Sequence, residues 1–329
     1  MSAALFVLLL SVVGTKNALA QVQVATLQHQ DNISAFYGAN AFVQAHEAAE
    51  SGDIITLSSG SFTPINITKA ITLRGAGCVA DPEAGTAATV INGAINMDVA
   101  DTLNNFLSIE GILFPNEVKM GLLNSPTFTR CSFLRINDIG QFNHNMTDGH
   151  FIDCIIKEMS FYRALNTTMV NCVVWEPSYV YNSQPVVIYN SIFGGMTSQN
   201  TGLTAYNSII IKQRGSEPSA SCSFFNCIGI NLEESNAFGT GYVSNCTTYD
   251  SYEEVFATFA GEFGLEEDFT LTEDAAAFMG TDGTQVGIYG SAMPYTSRPA
   301  YQVLKHTTVA PRSNVDGTLN VEIEVITEE

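Results

Sequence analysis

Four of the chain's thirteen cations, Arg130, Arg135, Lys157 and Arg163, stand together among Asp138, His144, Asp148, His150, Asp153 and Glu158. Such a set could remove the proton beside a uronic carboxylate. Lys157 would accept the proton, Arg163 would neutralise the carboxylate, and Asp138 or Asp148 would form the acidic side of a groove. Glycoside hydrolysis would instead need a pair of carboxylates flanking the bond, and no such pair is assigned here. Ordinary salt bridges in an irregular surface loop would use the same residue types and need no substrate. His144 and His150 lie in polar, turn-like sequence with no third ligand set by spacing, so no metal site is expected there.

A second group is aromatic: Trp175, the only tryptophan, with Tyr179, Tyr181, Tyr189 and Tyr206. Flat rings with one polar edge can take the apolar face of a sugar. The alternative is that they pack a loop against a wall of the protein.

What must hold these residues is a repeat. A pair of adjacent residues recurs as Arg74-Gly75, Asn92-Gly93, Glu110-Gly111, Arg130-Cys131, Asp153-Cys154, Asn171-Cys172, Asn190-Ser191, Asn207-Ser208, Asn226-Cys227 and Asn245-Cys246. The spacing predicts roughly ten stacked coils of about 17 to 23 residues, each made of short strands and turns. From Arg130 onward, the residues two before the pair's first member and three after it are usually apolar, and these should face a core. The second member is always Gly, Ser or Cys, because coils about 4.8 Å apart leave little lateral room. The first member, Asn in the last five successive coils, can bond its amide to the same residue above and below. Five of the seven cysteines fall at the small position, which makes them compact core residues rather than a disulfide framework. The longest spacing, between Cys131 and Cys154, marks an enlarged coil whose loop carries the cation-rich set.

The first twenty residues read as a signal peptide: an apolar run from Leu5 to Val13, then Ala18-Leu19-Ala20 before the cleavage point. No later run is long enough to span a membrane. The export route ends in a secreted, periplasmic or cell-surface protein. A formal net charge of −20 argues against nucleic acid or an anionic membrane as partner. Residues 215–297 contain no Lys or Arg and many carboxylates, the pattern of a solvated acidic surface. Calcium is the one cofactor such a surface suggests, but no regular Asp spacing marks a calcium loop, so none is assigned. Helical spacing of Phe36, Ala39, Phe42, Val43, His46 and Ala49 predicts a capping helix over about residues 34–50, with His46 on its packing face. The segments around 252–259 and 271–278, and an alternating strand at 319–326, would close the other end.

The run Ala45-His46-Glu47-Ala48-Ala49-Glu50-Ser51-Gly52-Asp53-Ile54-Ile55-Thr56-Leu57, with Gly60 and Phe62, resembles the opening segment of pectin-lyase-like right-handed β-helix proteins. The Asn-Cys and Asn-Ser turns resemble coils of that superfamily. Residues 268–290 are similar to the closing segment of secreted bacterial members, many from Bacteroidetes. The resemblance implies an all-β fold, a single-stranded right-handed parallel β-helix solenoid with an N-terminal capping helix and a C-terminal cap and strand. Four stretches follow: the signal peptide (1–20), the N-terminal segment and capping helix (21–53), the β-helix (54–290) and a C-terminal extension with the terminal strand (291–329). None of the superfamily's catalytic motifs matches here residue by residue. The function expected is therefore non-catalytic binding of a glycan or cell-surface partner. A polysaccharide lyase or glycoside hydrolase, and a structural or adhesive module, are the alternatives.

Overall fold

The computed structural model describes residues 22–82, 85–99, 106–138, 146–176, 179–180, 184–195, 200–212, 220–232, 236–259, 261–297, 303–309 and 321–326. The signal peptide, His144 and Tyr181 lie outside them. The chain winds into a parallel β-helix with two long sheets. The first sheet runs in parallel steps from Ile54–Leu57 through Thr72–Arg74, Ser108–Glu110, Thr127–Thr129, His150–Ile152, Leu165–Val170, Gln184–Tyr189, Leu203–Tyr206 and Ser223–Phe225 to Tyr242–Ser244. The second runs from Gly60–Phe62 through Thr89–Ile91, Leu113–Met120, Ser132–Asp138, Ile155–Phe161, Val173–Val174, Ile192–Gly194, Ile209–Ile211 and Ile228–Ile230 to Thr247–Tyr249.

Strand periodicity turns one row of each sheet inward. Ile109, Phe128, Phe151, Met169, Ile188, Ala205 and Phe224 form the buried row of the first sheet, and Phe114, Phe133, Ile156, Val174, Phe193 and Ile210 that of the second. Rings stack from coil to coil, Phe128 on Phe151 at 4.9 Å and Phe114 on Phe133 at 5.0 Å. Val243 continues the first row but is 43% exposed, at the last strand of this sheet among the described residues.

The recurring pair is a left-handed turn. Arg130, Asp153, Asn171, Asn190, Asn207, Asn226 and Asn245 all have φ between +45° and +55°, a conformation that Asn and Asp tolerate far better than most side chains. Along this line Asn171 donates to Asp153 at 3.2 Å, and Asn245 donates to Asn226. The small residue that follows folds back on the same turn. Ser191 Oγ and Ser208 Oγ each accept the backbone N–H of the preceding coil, at 3.0 and 3.1 Å, and Cys246 Sγ does so for Cys227 at 3.2 Å. All seven cysteines are free thiols.

The first three expected pairs fit differently. Arg74 and Glu110 lie in register with Thr129, so the turn position there falls on Gly75 and Gly111, one residue later. A Cβ on Gly75 would sit 2.3 Å from the Gly111 carbonyl, which excludes any larger residue. Asn92-Gly93 is not on this line at all, since it follows a strand of the second sheet. One oversized coil therefore connects Thr72–Arg74 to Ser108–Glu110, holding both Thr89–Ile91 and Ile95–Met97.

The ends also differ from expectation. Residues 34–37 are strand, not helix: Val24–His29 and Asn32–Tyr37 form an antiparallel hairpin, and Val24–His29 pairs with Ile54–Leu57. Alternation shows in the first of these strands, where Ala25 and Leu27 turn inward. The helix α1 is Ala41–Ala48, with Ala41, Phe42, Ala45 and His46 buried. Lys69 Nζ donates to the His46, Glu47 and Ala49 carbonyls at 2.6, 2.9 and 2.6 Å, satisfying the helix's C-terminal oxygens. At the other end the parallel strands stop at Tyr249, short of residue 290. From residue 252 to residue 297 the described chain runs back along the flank of the solenoid. Asn226 donates to the Met279 carbonyl at 2.6 Å, Asn207 accepts from Thr281, and Asn171 donates to the Met293 carbonyl at 2.6 Å. Val303–Val309 and Val321–Ile326 form a separate antiparallel pair.

Candidate functional site

The cation-rich set does not converge. Lys157, on the strand Ile155–Phe161, holds the Glu176 carboxylate at 3.2 Å, so its ammonium is engaged rather than poised as a proton acceptor. Asp138 is buried at the end of Ser132–Asp138 and accepts the backbone N–H groups of Tyr162 and Arg163 at 2.6 and 2.7 Å. It serves as a fastener between coils, and Arg163 meets it through the main chain. Asp148 lies on the other side, in a turn of the first-sheet strands with φ +52°, accepting from Asn166 at 3.1 Å. Arg135 pairs with Glu158. Arg130 sits within the turn line, with Glu110 at 2.5 Å and Asp153 at 3.9 Å. Burial pushes the Asp153 carboxyl up to about 6, partly offset by the Asn171 amide and Arg130. Lys157, Asp138 and Asp148 are thus each engaged with a different partner: Glu176, the backbone of Tyr162 and Arg163, and Asn166.

Trp175 is not a platform either. Only 4% of it is exposed, with Tyr252, Phe259 and Phe263 at ring distances of 6.1, 5.0 and 6.1 Å. It belongs to a second apolar cluster, in which Val173, Ile192, Ile209, Ile211, Ile228 and Ile230 on the outside of the second sheet are covered by Val255, Phe256, Phe259, Phe269, Leu271, Val286 and Ile288. Tyr179 is half-buried beside Ser160 on that same sheet, whereas Tyr189 and Tyr206 stand on the first.

Tyr189 and Tyr206 do come together, on the outer face of the first sheet. They stack at 5.2 Å with planes 12° apart, Tyr206 stacks on Phe225 at 5.0 Å and 13°, and Phe225 meets Tyr242 at 5.6 Å and 49°. Phe225 extends this row and Tyr242 meets it from the neighbouring outward row, opposite Ser223; sequence reasoning missed both. The signal was present: Tyr189, Tyr206 and Phe225 each stand immediately before the turn Asn, and that position points outward in every coil. Both faces of Tyr206 and of Phe225 are covered by neighbouring rings. The accessible ring surface belongs to Tyr189, 39% exposed, and Tyr242, 60% exposed. Beside the rings run Thr168, Val187, Thr204 and Ser223, so the outward rows carry no charge from Thr168 to Ser244.

Among the described residues no group of three His, Cys, Asp or Glu is placed to hold a metal ion, and no helix is long and apolar enough to cross a membrane. Comparison with protein-family models, with curated proteins and with solved structures finds no match for the chain.

Proposed function

We propose that this is an exported, non-catalytic β-helix that binds a neutral polysaccharide along the outer face of its first sheet. One observation carries it: on a chain of net charge −20, that face is an uncharged ridge of stacked aromatics flanked by hydroxyls. Tyrosine suits such a surface, since its ring makes apolar contact while its hydroxyl stays wet. An anionic polymer would be repelled by the surrounding carboxylates. The apolar leader and Ala18-Leu19-Ala20 support export to the secreted, periplasmic or cell-surface space.

The test is retention of the protein on immobilised neutral and uronate-containing polysaccharides. Each exposed ring contributes about 0.5–1.5 kcal/mol beyond its buried area, so Tyr189→Ala and Tyr242→Ala should each weaken retention by roughly two- to tenfold. Lack of retention on every neutral glycan, or retention unchanged in the double variant, would overturn the proposal. New ultraviolet absorbance from uronate polymers, lost in Lys157→Ala, would instead point to elimination chemistry.

A further inference from the structure

Among the described residues both ends of the first sheet are unpaired edges, and they match. At one end Asn32–Tyr37 is hydrogen-bonded only to Val24–His29; at the other Tyr242–Ser244 is bonded only to Ser223–Phe225, among the described residues. Two antiparallel pairings in succession restore direction: Asn32–Tyr37 is antiparallel to Val24–His29, which is antiparallel to Ile54–Leu57. Asn32–Tyr37 therefore runs the same way as every parallel strand of the sheet, including Tyr242–Ser244. An end-to-end approach of two copies would set one edge beside the other as an ordinary parallel pair.

The residue types agree with this. Open edges are normally protected by charges, prolines or bulges. Here neither Asn32–Tyr37 nor Tyr242–Ser244 contains a charged residue or a proline, although the chain carries 33 acidic residues. Each edge exposes large apolar side chains instead, Ile33 (71%) and Tyr37 (66%) at one end, Tyr242 (60%) and Val243 (43%) at the other. Side-chain alternation limits the register. Setting Val243 beside Phe36 keeps both on the core side, where Phe36 already packs against the core, and places Tyr242 beside Ala35.

We propose that copies of this chain associate head to tail through these two edges, continuing the first sheet from one molecule into the next. The contact is heterologous, with different surfaces meeting, so growth is linear rather than closed. Repulsion between chains of charge −20 opposes it, and salt should promote it, because the Debye length falls to about 8 Å at physiological ionic strength.

Sedimentation velocity of the full chain over a range of concentrations, at low and high salt, gives the first result. The mean mass should pass that of a dimer and rise with concentration and salt. Ile33→Lys blocks one edge and Val243→Lys the other. Each variant alone should be monomeric, and an equal mixture should give dimers and stop there, because only one good pair of edges remains. Both positions are substantially exposed, and circular dichroism checks that each variant folds; Ser34→Lys at the first edge and Ser244→Lys at the second replace any that does not. A tail-to-tail contact would instead let Ile33→Lys dimerise by itself. That result, or a wild-type chain that stays monomeric at every concentration and salt level, would overturn the proposal.

Discussion

Both sheets carry apolar side chains on their outer faces in the later coils, yet one face is covered and the other bare. On the second sheet Val173, Trp175, Ile192, Ile209, Ile211, Ile228 and Ile230 lie under residues 252–297 and are almost fully buried. On the first, Tyr189, Tyr206, Phe225 and Tyr242 meet solvent. The difference is in residue type. Aliphatic side chains have no polar edge to leave in water, so a ridge of isoleucines that long demands a cover. Tyrosines interleaved with Thr and Ser remain wettable on one side. The comparison also separates two meanings of an aromatic residue on a solenoid wall: Trp175 anchors the cover, whereas Tyr189 and Tyr242 keep ring surface in solvent.

The largest effect expected from breaking that contrast is on stability. Trp175→Ala removes a ring packed among Tyr252, Phe259 and Phe263, and truncation of a buried Trp costs about 3–5 kcal/mol. Tyr189→Ala, on the bare face, should cost about 1 kcal/mol or less. Calorimetric unfolding of the two variants measures both. The near-ultraviolet dichroism of the single Trp should survive Tyr189→Ala unchanged. Equal losses in the two variants would mean that the cover over the second sheet contributes nothing.

Much of this arrangement was legible. The Asn-Cys and Asn-Ser turns, the inward rows and the packed role of His46 all follow from spacing and residue size, because stacking at fixed height leaves few choices. The earlier coils were misaligned because Gly meets the steric demand of a tight turn at either of two neighbouring positions. The cover over the second sheet was missed, although its mark is in the chain: Cys172-Val173-Val174-Trp175 and Ile209-Ile210-Ile211 are apolar on consecutive residues, the pattern of a strand buried on both faces. Lys157 and Asp138 looked catalytic because charge clustering in sequence says nothing about partners. Those partners, Glu176 and the backbone of Tyr162 and Arg163, come from other parts of the coils.

A smaller effect sharpens the contrast within the turn line itself. Asp153 lies where the flanking segment ends, and burial raises its carboxyl from 3.8 to about 6. An acid with a raised folded-state pKa binds more protons folded than unfolded, so its contribution to stability is favourable at low pH and is lost as pH rises from about 4 to about 6. Asp153→Asn keeps the shape, continues the amide line toward Asn171 and leaves Arg130 with Glu110. It should raise stability at neutral pH by on the order of 1 kcal/mol and flatten that part of the pH profile. His46 has the opposite sign. Burial first, then Lys69, lowers it to about 4, so it withdraws stability as pH falls below its ordinary value of 6.5. Denaturation midpoints of wild type, Asp153→Asn and His46→Gln between pH 4 and pH 8 separate the two. A profile unchanged by Asp153→Asn would show that the buried carboxyl is already neutralised by Arg130.

The smallest change in stability, but the sharpest chemical contrast, concerns the cysteines along the turn line. Cys131, Cys154 and Cys227 lie inside the stack, where burial raises their thiols well above the usual range, and burial takes Cys78 to about 12. Cys246 occupies the same position in the last of the described coils and is half-buried. The Cys227 side chain bonds to it and lowers it to about 7, against the effect of burial, with help from backbone groups of Cys227, Ser244 and Asn226. The thiolate is the reactive form, so iodoacetamide at neutral pH should modify Cys246 roughly tenfold or more faster than the buried thiols. Peptide mass mapping of the native protein would find the label there, with a rate that rises through pH 7. Self-association through the Tyr242–Ser244 edge should slow that labelling at high protein concentration, while Val243→Lys should leave it fast. Comparable labelling of Cys131, Cys154 and Cys227 in the native protein would mean that the interior coils open as readily as the bare end, and the distinction between covered and uncovered regions would fail.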